Sequence, residues 1–271
     1  MFPILASFPL PYLEWVVQIR SYPTMHVLAL LCLIAVTARG YRRDIGPSWK
    51  IVDPFLVGVP AGMIGAMLLA SWTSGNEVHH PLELPVYWQI GNKAAYGGLI
   101  AGAVAAALTA WWRGLATARF LDAAAPGLAL AVVLARLGCF LGGCCYGHAT
   151  HGPFAVHFPD QVGAMASLPD GATGLHPTQL YLAAAALGTW IVLARLRRRT
   201  DLPPGGLFEV FVALYALAVF AIEFLRGDPG RWFAGGLSHS QWISLALLLG
   251  LSLFQGLRRQ PFGRAALAHR L

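Results

Sequence analysis

The chain has 271 residues, of which 57% are hydrophobic and only 11% are Asp, Glu, Lys or Arg, whereas soluble domains carry about a quarter charged residues. That balance excludes a disordered chain, a nucleic-acid binder and an ordinary water-soluble domain. The net charge of +7 fits a membrane chain with basic cytoplasmic loops, and four cysteines are too few for a disulfide scaffold.

Taken in chain order, residues 1–18 come first, with Pro3, Pro9 and Pro11. They have neither a basic leader nor a small-residue cleavage site, so they read as an interfacial segment that stays on the chain rather than a signal peptide. A bilayer-crossing helix needs about 20 mostly apolar residues, and seven such runs follow, at residues 23–38, 51–72, 94–112, 123–140, 176–194, 206–225 and 237–257. The stretches 72–91 and 144–175 between them contain Pro, Gly and His and exceed ordinary connection lengths, which favours a functional role. No internal repeat or low-complexity linker divides the chain, so 1–271 reads as one domain. The fold class expected is an all-α polytopic membrane protein with about seven transmembrane helices.

Basic residues orient these spans. Arg39, Arg42, Arg43 and Lys50 follow the first, Arg113 and Arg119 the third, Arg195, Arg197, Arg198 and Arg199 the fifth, and Arg258, Arg259, Arg264 and Arg270 the seventh. If the spans alternate, these fourteen of the 19 Lys and Arg share one side. The excess of basic residues in cytoplasmic loops then places the N-terminus in the periplasm and the C-terminus in the cytoplasm.

Ionisable groups inside spans cost roughly 2.5–3.5 kcal/mol each at mid-helix and mark functional sites. Arg136 interrupts the fourth run with no acid within seven residues along the chain, so its partner is distant in sequence or is a ligand. Glu223 and Arg226 close the sixth run three residues apart, on one helical face, where they can also neutralise each other. His176 and Gln179 open the fifth with the same spacing, and His176 can equally cap the helix start. Arg136, His176, Glu223 and Arg226 are expected to share one cavity opening toward the outer face. Asp53 reads as a helix N-terminal residue favoured by the dipole. Gly58, Gly62 and Gly65 on the second span and Gly98 and Gly102 on the third have the small-xxx-small spacing of close helix packing, while Tyr96-Gly97-Gly98 can also turn backbone N–H groups toward an anion.

Cys139, Cys144, Cys145, His148 and His151 fall within thirteen residues. The spacing lacks a Cys-x2-Cys knuckle and Cys139 sits inside an apolar run, so these read as buried thiols, with a disulfide from Cys139 to Cys144 or Cys145 open and no metal or cofactor expected.

The outer-face residues form an ordered series: Arg20-Ser-Tyr22, Tyr96-Gly-Gly-Leu-Ile100, Arg136-Leu-Gly-Cys-Phe140 through Gly147, His176-Pro-Thr-Gln-Leu-Tyr181, Glu223-Phe-Leu-Arg226 and Gly236-Leu-Ser-His-Ser-Gln241. Together they resemble the prolipoprotein diacylglyceryl transferase family over essentially the whole chain, with the His-Pro-Thr-Gln-Leu-Tyr string and the Arg-x-Gly-x-Phe block the most specific parts. The resemblance implies an enzyme of the bacterial inner membrane that moves a diacylglyceryl group from phosphatidylglycerol to the lipobox cysteine thiol of a preprolipoprotein signal peptide, releasing glycerol 1-phosphate. Tyr22, Gly97, Arg136, Gly147, Tyr215, Glu223 and Arg226 keep the family pattern. Tyr96 stands where the family commonly has His, Cys139 where it has Asn, Cys144 where it has Glu, Val219 where it tends to have Arg and Leu182 where it tends to have Glu. These departures fall on the usual proton acceptor and on one cationic helper.

That reaction needs an ionised thiol, a stabilised phosphate leaving group and a polar pocket for a lipid head whose tails stay in lipid. Arg136 and Arg226 can hold the phosphate, since guanidinium stays charged and binds it bidentately, with Glu223 orienting one of them. His176 is the expected base. Tyr22, Tyr96, Gly97, Gly98, Gln179, Tyr181 and Tyr215 are the expected substrate-binding residues. The rival readings are a divergent homologue that uses the same phospholipid with another acceptor, a thiol oxidoreductase built on Cys139, Cys144 and Cys145, and a non-catalytic lipid-binding protein.

Overall fold

The computed structural model describes residues 4–10, 15–74, 95–158, 174–198, 202–227 and 232–259. Two antiparallel strands, β1 (Ile4–Leu10) and β2 (Trp15–Arg20), come first. The remainder is α1 (Ser21–Asp44), a 3-10 turn (Trp49–Val52), α2 (Asp53–Ser74), α3 (Ala95–Trp112), α4 (Thr117–Leu141), α5 (Thr178–Leu196), α6 (Gly206–Glu223), the strands β3 (Trp232–Ala234) and β4 (Leu237–Ser238), and α7 (His239–Arg259). Among the described residues, each of the seven α-helices is long and apolar enough to cross a membrane, so the expected polytopic helical class holds. Residues 1–18 contain β1 and most of β2, with the outer faces of Ile4, Leu5 and Ile19 exposed. Residues 72–74 of the expected loop 72–91 belong to α2, and its remainder and much of 144–175 lie outside the described residues.

Helices run past the expected spans where the chain turns polar. α1 continues through Arg39, Arg42 and Arg43 to Asp44, where cations at a helix C-terminus meet the negative end of its dipole. α4 begins at Thr117, six residues before the expected run, because Arg119 and Asp122 end the apolar count without ending the helix. α5 starts at Thr178, two residues later than expected, since Pro177 has no N–H to donate and fits the residue before the first turn. His176 is therefore outside the helix.

Contacts between helix ends fix the alternation. Asp44 pairs with Arg197 at 2.8 Å, Asp53 with Arg113, and Glu209 with Arg258 at 2.9 Å. Asp122 accepts the backbone N–H groups of Gly205 at 2.7 Å and Phe208 at 3.1 Å, capping α6 from another helix. The C-termini of α1, α3, α5 and α7 and the N-termini of α2, α4 and α6 are thus gathered at one end, with the basic residues. Asp53 opens α2 as expected. Trp49, Trp111 and Trp112 are exposed at that end, while Trp72, Phe233 and Trp242 are exposed at the other, as in the aromatic belts of membrane proteins. Leu31, Leu56, Ile64, Leu68, Leu249 and Leu253 present an apolar outer surface between them.

α1 packs along α4, and α4 is flanked by α5 and α6, with α7 on α6. α2 and α3 lie backbone against backbone: a Cβ on Gly62 would come within 3.0 Å of the Gly98 carbonyl oxygen, and one on Gly58 within 3.0 Å of that of Gly102. The close packing expected from the glycine spacing is what forms. This pair touches the rest at few points of backbone, chiefly where α3 meets α4, and the space it leaves is central to the site.

Candidate active site

Between the α2–α3 pair and α1, α4 and α6 lies a cavity of about 640 Å3, within the range of small-molecule sites. Its walls are apolar over most of their length, from Phe55 and Phe120 at one end past Gly58, Gly62 and Gly102. Its polar end is formed by Tyr22, His26, Tyr96, Arg136, Cys139 and Tyr215. A second, polar cavity of about 20 Å3 is lined by Tyr96, Arg136, Thr178, Tyr215, Glu223, Arg226 and Ser240. Arg136, Tyr96 and Tyr215 line both. Arg136 is the cation at the junction of an apolar chamber and a polar one.

Each of these side chains is held by an identifiable partner. Arg136 is 7% exposed and hydrogen-bonds Tyr215, whose ring meets Tyr96 edge-on with centroids 5.8 Å apart. The Tyr96 hydroxyl is 2.7 Å from Ser244 Oγ on α7. Glu223, the last residue of α6, accepts a hydrogen bond from Ser238 Oγ at 2.9 Å. Ser238 also accepts from Gln241 N at 3.2 Å, and Gln241 Oε1 accepts from Ser238 N at 2.9 Å. This is the capping box that a Ser followed three residues later by Gln builds at a helix start. The string 236–241 thus both starts α7 and fixes the carboxylate of Glu223. Arg226 follows α6 and forms an isolated β-bridge with Gly147, flanked by His148 N donating to Leu225 O at 2.9 Å and Gly227 N donating to Tyr146 O at 3.3 Å. A Cβ on Gly147 would collide with the Leu225 carbonyl and with His176 Cβ, so glycine there lets the bridge close.

The expected site residues fall into three groups. Arg136, Glu223, Arg226, Tyr96 and Tyr215 come together at the polar cavity, and Tyr22 and Gly98 line the larger one. His176, expected in the same cavity, lines neither. Its Nδ1 lies 3.1 Å from the Tyr181 hydroxyl, and its backbone bridges His148 and Gly147. Gln179 turns instead to the Cys144 carbonyl, donating from Nε2 at 2.6 Å. Gly97 packs against Gly65 and Leu69 of α2 and lines neither cavity.

His26 and Ser244 are polar residues at the site with no mention in the sequence expectations, and Thr178, Ser238, Ser240 and Gln241 stand there only within quoted strings, without a role. The capping-box spacing from Ser238 to Gln241 was a readable signal, while a single His on an apolar helix gave none. His26 Nδ1 lies 2.8 Å from the Tyr22 carbonyl oxygen. A carbonyl only accepts, so Nδ1 carries the proton and Nε2 is left as an acceptor.

All four cysteines are free thiols. The turn after α4, left-handed at Gly143 (φ 72°) and at Cys145 (φ 69°), brings the Sγ atoms of Cys139, Cys144 and Cys145 within 4.8 Å of one another. Contact with the Cys139 and Cys144 thiols, together with Arg226 and Arg136 nearby, holds the Cys145 thiol well below its usual range against the opposing effect of burial. Cys144 is pushed up by its contacts with the Cys139 and Cys145 thiols and by burial.

Residues 12–255 match the family model described as prolipoprotein diacylglyceryl transferase. The chain belongs to the prolipoprotein diacylglyceryl transferase family. Among curated members of that family, it is 32% identical over 241 residues to phosphatidylglycerol–prolipoprotein diacylglyceryl transferase 2 of Clostridium perfringens, covering 86% of this chain and 88% of that one. It is 31% identical to the Clostridium tetani transferase (88% of this chain, 92% of the relative) and 32% identical to the Streptococcus mutans one (85% and 87%). The family thus spans the helices that build both cavities.

Proposed function

We propose that this chain transfers the diacylglyceryl group of phosphatidylglycerol to the lipobox cysteine thiol of a preprolipoprotein signal peptide and releases glycerol 1-phosphate. The relatives' names, the family match and the site geometry support this reading. The observation that carries it is the position of Arg136, shared by an apolar cavity of about 640 Å3 and a polar one of about 20 Å3. A lipid with two apolar tails and an anionic head needs that division. In this reading the whole of 1–271 works as one domain of the bacterial inner membrane. The periplasm holds the N-terminus and the site, the cytoplasm holds the C-terminus and the basic end, and no nucleic acid takes part.

The transfer forms a carbon–sulfur bond to the diacylglyceryl group and breaks the carbon–oxygen bond to phosphate, while the thiol proton passes to a base. Arg136, on the wall of the larger cavity, holds the phosphate, and Arg226 beside it on the small polar cavity adds to the fixed positive charge that stabilises the leaving group, where exclusion of bulk water makes such charge worth most. Glu223, anchored by Ser238, orients this guanidinium pair. Tyr96, Tyr215 and Tyr22 hydrogen-bond the head, and Gly98 forms part of the tail-side wall. His26 replaces His176 as the base, because its free Nε2 belongs to a residue on the cavity wall with Arg136. His176, Tyr181 and Gln179 are positioning residues that hold the Gly147–Arg226 bridge and the Cys144 turn, and Gly97 positions Tyr96 through the α2–α3 contact.

Purified protein, phosphatidylglycerol vesicles and a lipobox peptide test the reading. Glycerol phosphate release that requires the peptide cysteine is expected, and its absence with a folded protein overturns the proposal. Release of glycerol phosphate with the peptide unmodified would favour the reading with another acceptor, to which Tyr96 and Val219 on the polar cavity point.

A further inference from the structure

The three-thiol cluster belongs to no step described so far. Three features show that it is built. Cys145 holds a left-handed backbone conformation (φ 69°), which residues other than glycine adopt rarely and which persists only where the surroundings enforce it. Two buried side chains of α5 enforce it here: Thr178 Oγ1 donates to the Cys145 carbonyl at 2.6 Å and Gln179 Nε2 to the Cys144 carbonyl at 2.6 Å. The result sets three sulfurs within 4.8 Å of one another, with Cys144 and Cys145 Sγ 3.6 Å apart. Zinc–sulfur bonds of about 2.3 Å in tetrahedral geometry need sulfurs about 3.8 Å apart, a small adjustment from this arrangement. Hydrogen bonds from outside the ligand set that hold it in place are the usual support of metal sites.

We propose that Cys139, Cys144 and Cys145 form a tris-thiolate site for a divalent thiophilic cation such as Zn2+, whose fourth position is open to the acceptor thiol. Among the described residues no fourth His, Cys, Asp or Glu joins the group, and three protein ligands with one open position is the arrangement of a reactive zinc site. Charge selects a divalent ion. Three thiolates with one divalent cation carry one net negative charge, which balances the excess of Arg136 and Arg226 over Glu223 beside them. Cys139 lies on the wall of the large cavity with Arg136, so the cluster borders the place where the lipid head would sit. Binding releases to solvent the protons still held by the three thiols. When the acceptor thiol takes the fourth position its sulfur–metal bond forms as its own proton leaves for His26 or water, because a coordinated thiol is deprotonated. The second half of the proposal rests on the transferase reading, and the first half does not.

The test uses the full-length protein in detergent, stripped of metal under reductant and reloaded anaerobically with Zn2+ and, separately, Co2+. About one ion per chain is expected, with a near-ultraviolet sulfur-to-cobalt charge-transfer band. Cys144→Ser and Cys145→Ser should lose both signals, and Cys32→Ser should keep them. Thermal unfolding of each variant separates lost binding from lost fold, and chelator titration of the unmodified protein gives the affinity without any substitution. Strongly substoichiometric metal, equal loading of Cys144→Ser, or a disulfide among the three cysteines in the isolated protein would overturn the site. Adding a cysteine-bearing lipobox peptide should alter the cobalt band and its serine counterpart should not; a band unmoved by the cysteine peptide overturns the assignment of the fourth position. None of these readouts is transfer activity, so a failed metal site leaves the transferase reading intact, and a failed transfer assay leaves the site to be judged by its metal loading.

Discussion

Replacing Arg136 by Met keeps the volume of the side chain and removes its charge, so the loss can be worked from electrostatics. A unit charge about 4 Å from a phosphate oxygen is worth about 4 kcal/mol at an effective dielectric constant near 20, but about 1 kcal/mol in bulk water. The structure decides between these values. Arg136 is 7% exposed, and the polar cavity beside it holds about 20 Å3, room for about one water molecule. The larger value applies, and at about 1.4 kcal/mol per tenfold change kcat/KM should fall about 10^3-fold, in line with the loss of an oxyanion donor elsewhere. Arg136→Lys keeps the charge but not the two-pronged donor geometry, and should fall between the two. Initial rates of glycerol phosphate release would measure the loss, with thermal unfolding to show that the variant folds. The unpaired Tyr215 hydroxyl is itself worth about 1–3 kcal/mol of stability, so Tyr215→Phe in the same background is the control. A folded Arg136→Met protein within tenfold of the unmodified rate would refute the placing of the phosphate at this guanidinium.

Three further outcomes follow from the same geometry. His26→Gln should lower kcat by about 10^2-fold or more, the usual contribution of a general base, whereas His176→Ala should cost roughly fivefold to tenfold through one lost hydrogen bond of about 1 kcal/mol; the reverse order in single-turnover assays would return the base to His176. Asp122→Ala removes the acceptor for Gly205 and Phe208 N–H and should destabilise by about 1–2 kcal/mol, seen as a lower midpoint of thermal unfolding with kcat unchanged; an unchanged midpoint would refute the cap. Gly65→Val sets a Cβ within 2.6 Å of the Gly97 carbonyl oxygen, so α2 must move off α3 at a cost of about 1–3 kcal/mol; an unaltered unfolding midpoint would show that this contact is looser than drawn.

The number of spans and the end of the bundle each reaches were legible because both depend on composition summed over about 20 residues, and no single side chain can reverse such a sum. The guanidinium pair was legible for a related reason, since an arginine in an apolar run stands out without any knowledge of its neighbours. His176 shows where this reasoning stops. Its position beside the fifth span suggested a share of the cavity, but the helix starts at Thr178, two residues later, which leaves the backbone of His176 paired with His148 and its imidazole facing Tyr181. The three thiols show the same limit from the other side. The spacing of cysteines along the chain shows no metal knuckle, whereas a left-handed turn at Gly143 and Cys145 sets the distances between their sulfurs, and backbone handedness at a non-glycine residue has no sequence signature. His26 escaped because its tautomer depends on a carbonyl four residues away.

The glycines of α2 and α3 account for the cavity and for its staying empty. Two helices whose backbones touch bury little side-chain surface between them, so their larger side chains are left to face elsewhere. On the inner side, Phe55 meets Phe120 of α4 with ring centroids 5.9 Å apart, holding the pair at the basic end. Toward Tyr96 the inner faces of α2 and α3 are Gly62, Ala66, Gly98 and Gly102, and they line the cavity without filling it. Bulky residues there would close the chamber, and a looser α2–α3 contact would let the pair collapse onto α4. The pair is stiff within itself and held at both ends, by Phe55 on Phe120 and by Tyr96 on Tyr215 and Ser244, so it spans the chamber without filling it. The same small residues that make the pair rigid therefore keep the chamber empty for tails, and widening any of them should raise KM for the lipid before it changes kcat.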